Sequence, residues 1–265
     1  MTRGDRAARS AYNCPVALVL LHGLATTGVI WTWLRPYLPA GLEIVALDVP
    51  GFGDAAPAGR GFVLDDVADR VAEAIGDHTG APVDLVGHSM GGAVALVLAD
   101  RHPELVRGLV LAAPAGLRAL PPALCRIAGP VAAAGIDARR AAAPLARLGL
   151  ARRLLLTGGV ADPRRISGEQ ARTMFTASRG ATRVSAALSA VAGADLRPAL
   201  TRLDAPPGLI WGAADRVVPP GVARDVLVRR PDARVRLIPG TGHIAMVERP
   251  ERFAAALEEL LPWGA

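Results

Sequence analysis

The run Gly87-His88-Ser89-Met90-Gly91-Gly92 follows directly on the apolar stretch Pro82-Val83-Asp84-Leu85-Val86. A serine so placed stands on a sharp turn between a strand and a helix. Glycine two residues before it and two after removes the side chains that would collide with neighbouring backbone on so tight a turn. The turn lifts the hydroxyl above the carboxyl end of a sheet with a helix N-terminus behind it, where the Met90 N–H can face a developing oxyanion. The alternative is a Gly/Ser-rich loop that binds phosphate or only turns the chain. A strand before, a helix after and a further glycine at position 92 favour the nucleophile.

A serine hydroxyl is a poor nucleophile at neutral pH and needs a base, which in turn needs an orienting group. The histidines are His22, His78, His88, His102 and His243. His78 and His102 lie near helix ends among polar neighbours and read as surface residues. His88 adjoins the serine, and adjacent side chains on a tight turn diverge. His243 remains: in Pro239-Gly240-Thr241-Gly242-His243 it follows the strand-like Val235-Arg236-Leu237-Ile238. A surface or capping histidine is its plainer alternative. The orienting acid is best read as Asp215, after the buried-strand pattern Gly208-Leu209-Ile210-Trp211-Gly212. The plainer alternative there is a loop aspartate paired with Arg216. A second oxyanion donor is expected after an earlier strand. The stretch Val16-Ala17-Leu18-Val19-Leu20-Leu21 runs into His22-Gly23-Leu24, which makes the Leu24 N–H the candidate and His22 a brace for the loop. Asp48-Val49-Pro50-Gly51-Phe52-Gly53 supplies another turn near the site.

These pieces, with Trp211-Gly-x-x-Asp215, Gly242-His243 and Glu248-Arg-Pro-Glu-Arg-Phe253, resemble the α/β-hydrolase superfamily in its capped serine-esterase-like branch. They occur in that family's order and cover both ends of the chain. The resemblance implies Ser89 as nucleophile, His243 as base, Asp215 as its orienter, and the Leu24 and Met90 amides as oxyanion hole. Haloalkane dehalogenases and epoxide hydrolases of this fold need an aspartate nucleophile, and position 89 is serine. Carbon–carbon hydrolases usually follow His-Gly with a Gly-Pro-Gly turn and place tryptophan after the catalytic histidine. Here Ala25-Thr26-Thr27-Gly28 and Ile244 occupy those places. Cofactor-free haloperoxidases usually carry an aromatic residue where this chain has Leu24.

Apolar runs near 16–21, 43–47, 82–86, 108–112, 208–211 and 234–238 predict about six strands. Helical patterns near 30–38, 63–79, 90–101, 219–229 and 250–261 separate them. That alternation predicts an α/β fold: a mostly parallel sheet with helices on both faces and the site at its carboxyl edge. Only about fifteen residues precede Val16, so the antiparallel hairpin that usually opens the family is expected to be reduced or absent. Residues 1–115 and 200–265 read as the core and 116–199 as an inserted helical cap. Breaks near Gly129-Pro130, Gly135, Pro144, Gly158-Gly159 and Gly180 suggest four or five short cap helices. Ala25, Met174, Phe175, Leu188, Val217 and Ile244 are the candidate pocket residues, with ordinary packing as the alternative for those in the cap.

The chain has 265 residues, 51% of them hydrophobic, enough to bury a large core. Its net charge is +6, yet every basic residue is arginine, a pattern of GC-rich bacterial coding bias, and no basic run is interleaved with aromatics. Nucleic acid is therefore not an expected partner. The charge is uneven, with thirteen arginines against four acids in residues 116–199. Helical arginine facing solvent is the plain reading; the sharper one is a positive lid attracting an anionic substrate or an acidic carrier protein. No apolar run is long enough to span a bilayer, and the arginines before residue 16 only faintly mimic a targeting signal, which leaves the cytoplasm as default. Cys14 and Cys125 form no disulfide framework. No metal-ligand spacing and no dinucleotide or P-loop fingerprint is present, so neither metal nor cofactor is expected. The expected function is hydrolysis of a carboxylic ester or thioester, with a partly apolar acyl substrate, through an acyl-enzyme. The same triad also serves carbon–carbon cleavage, acyl transfer or cyclisation, and a non-catalytic ligand sensor is the reading from another class.

Overall fold

The structure, a computed structural model, describes residues 16–56, 61–79, 82–177, 181 and 183–261. Six strands form its sheet: β1 (Leu18–Leu21), β2 (Ile44–Leu47), β3 (Val83–His88), β4 (Val106–Ala112), β5 (Gly208–Gly212) and β6 (Arg234–Ile238). They lie in the order β2-β1-β3-β4-β5-β6, and every neighbouring pair is parallel. The expected N-terminal hairpin falls on residues 1–15, outside the described part, as do Cys14 and Gly180.

Burial explains the strand sequences. β1, β3 and β5 are buried at every position, so β1 and β5 read as apolar runs, and β3 is interrupted only by Asp84, which pairs with Arg107, and by His88 at its end. The edge strands β2 and β6 are partly exposed, which leaves room for Arg234 and Arg236. Alternate residues of β1 feed two cores. Val19 and Leu21 pack on one face with Val67, Val71 and Val94; Leu18 and Leu20 pack on the other with Trp31, Phe253 and Leu257. The first face is covered by α1 (Leu64–Thr79) and α2 (Met90–Arg101), the second by the C-terminal helix Pro250–Leu260. In α2, Met90 through Ala99 are all buried, so its sequence shows no polar stripe.

Between β4 and β5 the described chain holds helices only: α3 (Pro122–Ala141), α4 (Gly149–Leu156), α5 (Gly168–Ala177), α6 (Val184–Gly193) and α7 (Arg197–Arg202), with 3-10 turns at Ala143–Arg147 and Pro163–Arg165. Two expected breaks are corrected. Gly129-Pro130 and Gly135 lie inside α3, which runs unbroken for 20 residues. The gain that offsets the proline is close helix approach: a Cβ on Gly129 would lie 2.7 Å from Ser189 Oγ and 2.8 Å from the Ser185 carbonyl, both on α6. The expected helix at 30–38 is likewise two 3-10 turns, Gly28–Trp31 and Arg35–Tyr37, because Pro36 has no N–H to continue an α-helical ladder. Among the described residues no helix is long and apolar enough to cross a membrane.

The sheet and α2 meet through glycine. A Cβ on Gly91 would stand 2.4 Å from the His22 carbonyl oxygen and 2.6 Å from that of Leu21, both rigid backbone. Gly91→Ala is therefore expected to cost about 1–3 kcal/mol, a fall of several degrees in Tm by calorimetry. An unchanged Tm would show that α2 can slide on β1.

Candidate active site

Ser89 caps the N-terminus of α2 with φ 53° and ψ −112°, a backbone conformation that L side chains rarely adopt. The flanking glycine permits it. A Cβ on Gly87 would sit 2.3 Å from the Gly91 carbonyl oxygen, so no other residue fits under the turn. The Ser89 N–H donates to the Ala112 carbonyl (2.9 Å), which fixes the turn to the end of β4.

Asp215 lies in the loop after β5 and His243 in the loop after β6. Ser89 Oγ–H donates to His243 Nε2 at 3.0 Å, and His243 Nδ1–H donates to Asp215 Oδ2 at 2.8 Å. The Asp215 side chain is wholly buried and that of His243 is 10% exposed. The other carboxylate oxygen of Asp215 accepts the N–H groups of Val217 (2.8 Å) and Val218 (3.0 Å). Trp211 Nε1–H donates to the Val218 carbonyl (2.8 Å) and pins the same loop. Asp215 is thus oriented by its own turn, and no cation competes with His243 for it among the described residues. Its plainer alternative, a pair with Arg216, is not formed.

The remaining histidines separate cleanly. His22 Nε2 accepts the Val49 N–H (3.0 Å), so its proton sits on Nδ1, which donates to the Gly23 carbonyl (2.8 Å). It braces the loop that carries Leu24, and Asp48, 3.7 Å away, faces a neutral ring. Asp48 holds the next turn, accepting from Gly28 N–H (2.7 Å) and Asp54 N–H (3.0 Å). His88 turns away from Ser89 and donates from Nε2 to the His243 carbonyl (3.0 Å). His78 is exposed, and His102 pairs with Asp69. Burial pushes the His22 imidazole below its ordinary value, against the opposing pull of the Gly23 carbonyl and Asp48. Burial pushes His88 well below, with the neighbouring His243 adding to the shift.

Ser89 and His243 open into a cavity of about 830 Å³. Leu24 and Met90 line it, and among the described residues neither amide donates to a protein acceptor. Ala25, Met174, Phe175, Leu188, Val217 and Ile244 all lie on its wall. Val131, Ile136 and Arg139 of α3, Leu155 and Val160, and Arg118 line it as well, and the sequence did not mark them. Their signal was the helical spacing 131, 135–136, 139, hidden by the expected break at Gly135. Arg118 is paired with Asp225, whereas Arg139 is exposed with no ion-pair partner among the described residues.

Such a fold and such a site are those of a hydrolase, and residues 18–256 match the model of the alpha/beta hydrolase family. The chain belongs to that family and is an enzyme of α/β-hydrolase fold. It is 33% identical over 252 residues, 92% of this chain and 97% of the other, to a pimeloyl-[acyl-carrier protein] methyl ester esterase of Aromatoleum aromaticum. It is 32% identical over 275 residues, 99% of both chains, to a protein of the same name from Neisseria meningitidis. Among solved structures it superposes on a thermophilic esterase from Thermogutta terrifontis, malate bound, with TM-score 0.72, 24% identity, and coverage of 93% of this chain and 89% of that one. This last likeness bears on the fold alone.

The buried neutral histidines carry a pH consequence. An unfolded chain protonates each near pH ~6.5, while the folded chain does so only at lower pH. Their contribution is therefore complete above about pH 6.5 and falls on acidification, by up to about 1.4 kcal/mol per pH unit for each histidine. Tm should drop between about pH 7.5 and about pH 5.5, and His88→Gln, which keeps a donor but cannot titrate, should shallow that drop. An identical slope in the variant would contradict a neutral buried His88.

Proposed function

We propose that this chain is a serine-dependent hydrolase of carboxylic esters acting through an acyl-enzyme. The observation that carries the reading is the unbroken hydrogen-bond chain Ser89–His243–Asp215 at the floor of a largely apolar cavity. His243 takes the Ser89 proton as Oγ attacks the ester carbonyl, and Asp215 holds the imidazole in the Nδ1–H tautomer and stabilises the imidazolium. The Leu24 and Met90 amides stabilise the tetrahedral oxyanion. His243 then protonates the departing alcohol, and the acyl group stays on Ser89. A water deprotonated by His243 attacks the acyl-enzyme, and Ser89 recovers its proton from the imidazolium.

The substrate proposed is an acyl ester with a negative group, or one carried on an acidic carrier protein. Two observations support it. The relatives cited above act, by name, on an ester of a carrier-bound acyl chain. The segment 116–199, proposed here as a cap, holds thirteen arginines against four acids. Four of those acids' partners lie close by in sequence (Arg140, Arg164, Arg165 and Arg197), while Arg126, Arg139, Arg147, Arg153 and Arg172 are exposed with no ion-pair partner among the described residues.

A short p-nitrophenyl ester should be turned over by the wild-type chain and not by Ser89→Ala, and a fluorophosphonate should label Ser89. Labelling elsewhere with Ser89 unmodified would end the mechanism. Asp215→Asn should lower kcat by roughly 10⁴ through the wrong imidazole tautomer. Matched anionic and neutral esters, compared at low and high salt, test the basic cap. The anionic one should show the higher kcat/KM, with the advantage shrinking as salt rises. No preference at low salt would return these arginines to a solvated surface.

A further inference from the structure

The loop that bears His243 is fastened by groups outside the triad. His243 N–H donates to the Gly159 carbonyl at 2.9 Å, and Ile244 N–H approaches the same oxygen at 3.3 Å. On the other side the His243 carbonyl accepts from His88 Nε2–H. The third fastening is Glu248, at the end of the short helix Ala245–Glu248 and 4% exposed. One of its carboxylate oxygens, Oε1, accepts the Gly242 N–H at 2.6 Å. The other, Oε2, accepts the N–H groups of Ala161 (2.9 Å) and Asp162 (3.2 Å). Gly242 immediately precedes His243, whereas residues 159–162 belong to the segment between β4 and β5. The two backbones touch: a Cβ on Gly242 would lie 2.8 Å from Ala161 N and 2.9 Å from Val160 C.

This carboxylate has three amide donors and no ion-pair partner among the described residues. Burial holds its carboxyl above the ordinary value, partly offset by those amides. A buried anion without a cation is a costly means of joining two loops. Its two oxygens, however, serve two different elements at once, which a carboxamide cannot do because one of its two arms donates.

We infer that Glu248 is a positioning residue for His243, whose carboxylate ties the backbone next to the base to the 159–162 loop, so that the base is aligned only while that loop is seated on the core. The inference rests on the ester-hydrolase reading of Ser89 and His243. It makes the loop a part of the base's support. Displacing residues 159–162 removes the acceptor of the His243 N–H and the partners of Glu248 Oε2 together. A substrate that lifts the loop on entry meets a misaligned base until the loop returns.

Glu248→Gln keeps size and shape but must turn its NH₂ toward either Gly242 N–H or the Ala161 and Asp162 pair. It is expected to lower kcat on a small neutral ester about 10- to 100-fold with KM little changed. The low-field proton resonance of His243 Nδ1–H, followed by NMR in the unliganded protein, should broaden or move in the same variant. Glu248→Asp keeps the charge but reaches one loop only; it should show both effects, and it carries the test if the glutamine variant does not fold. Asp84→Asn, which breaks the pair with Arg107 on the sheet flank away from the cavity, controls for lost stability and should lower Tm with kcat and the resonance unchanged. A folded Glu248→Gln with wild-type kcat and an unmoved resonance would overturn the inference. A wild-type chain that turns over no ester would instead overturn the hydrolase reading, and the resonance would still decide the role of Glu248.

Discussion

The sheet edge that carries Ser89 and His243 depends on one close approach, that of the β3–α2 turn to the strands beside it. Ser89 occupies a left-handed conformation that costs on the order of 1–3 kcal/mol for an L residue. The surrounding packing offsets this, because Gly87 and Gly91 let α2 press onto the Leu21 and His22 carbonyls and the turn onto its own helix. Widening that contact by one methyl group would remove the support for the strained turn and shift the Met90 amide with it. The same approach seats His88 beneath Gly23 and sends its Nε2–H to the His243 carbonyl. Ser89 and His243, 154 residues apart in sequence, are thereby fixed to one piece of backbone.

The chemistry separates into two electrical environments. Below the site the groups are buried and neutral or paired: His22 and His88 carry no charge, and the Asp215 carboxylate is satisfied by two amides and one imidazole. Above it the cavity is mostly apolar with Arg118 and Arg139 on its wall. In the proposed mechanism a charge that develops at Ser89 is met by fixed dipoles and by the Asp215–His243 pair. The proposed attraction from the arginines of the helical segment would act on the approaching ligand at longer range and be screened by salt.

Much of this was legible in the sequence because the relevant signals are local. A strand buried on both faces is mostly apolar, and the tight turns after these strands carry glycine. Gly208–Gly212 followed by Asp215 therefore stood out from its neighbours, whereas the partly exposed edge strand 234–238 was marked by the glycine-rich turn leading to His243. The helical segment was legible only in outline. Whether Gly129-Pro130 ends a helix depends on Ser185 and Ser189, more than fifty residues away, and no local pattern encodes that contact. The two 3-10 turns at Gly28–Trp31 and Arg35–Tyr37 carry the apolar spacing of a helix, and only the ladder broken at Pro36 tells them apart. Glu248 was visible as a motif residue, but its partners Ala161 and Asp162 contribute only backbone amides, which leave no trace in side-chain identity.

The pairing of β4 with β5 joins strands separated in sequence by the whole helical segment. Topologically that segment is a loop leaving the sheet and returning to an adjacent position. The entropy of closing such a loop grows only with the logarithm of its length, so a doubling adds about 0.6 kcal/mol. The helices of that segment can therefore be lengthened, shortened or rebuilt at little entropic cost with strand order unchanged, provided residues 159–162 still meet Gly242, His243 and Glu248. The length of that segment is thus thermodynamically loose, while its attachment beside His243 is held by specific hydrogen bonds.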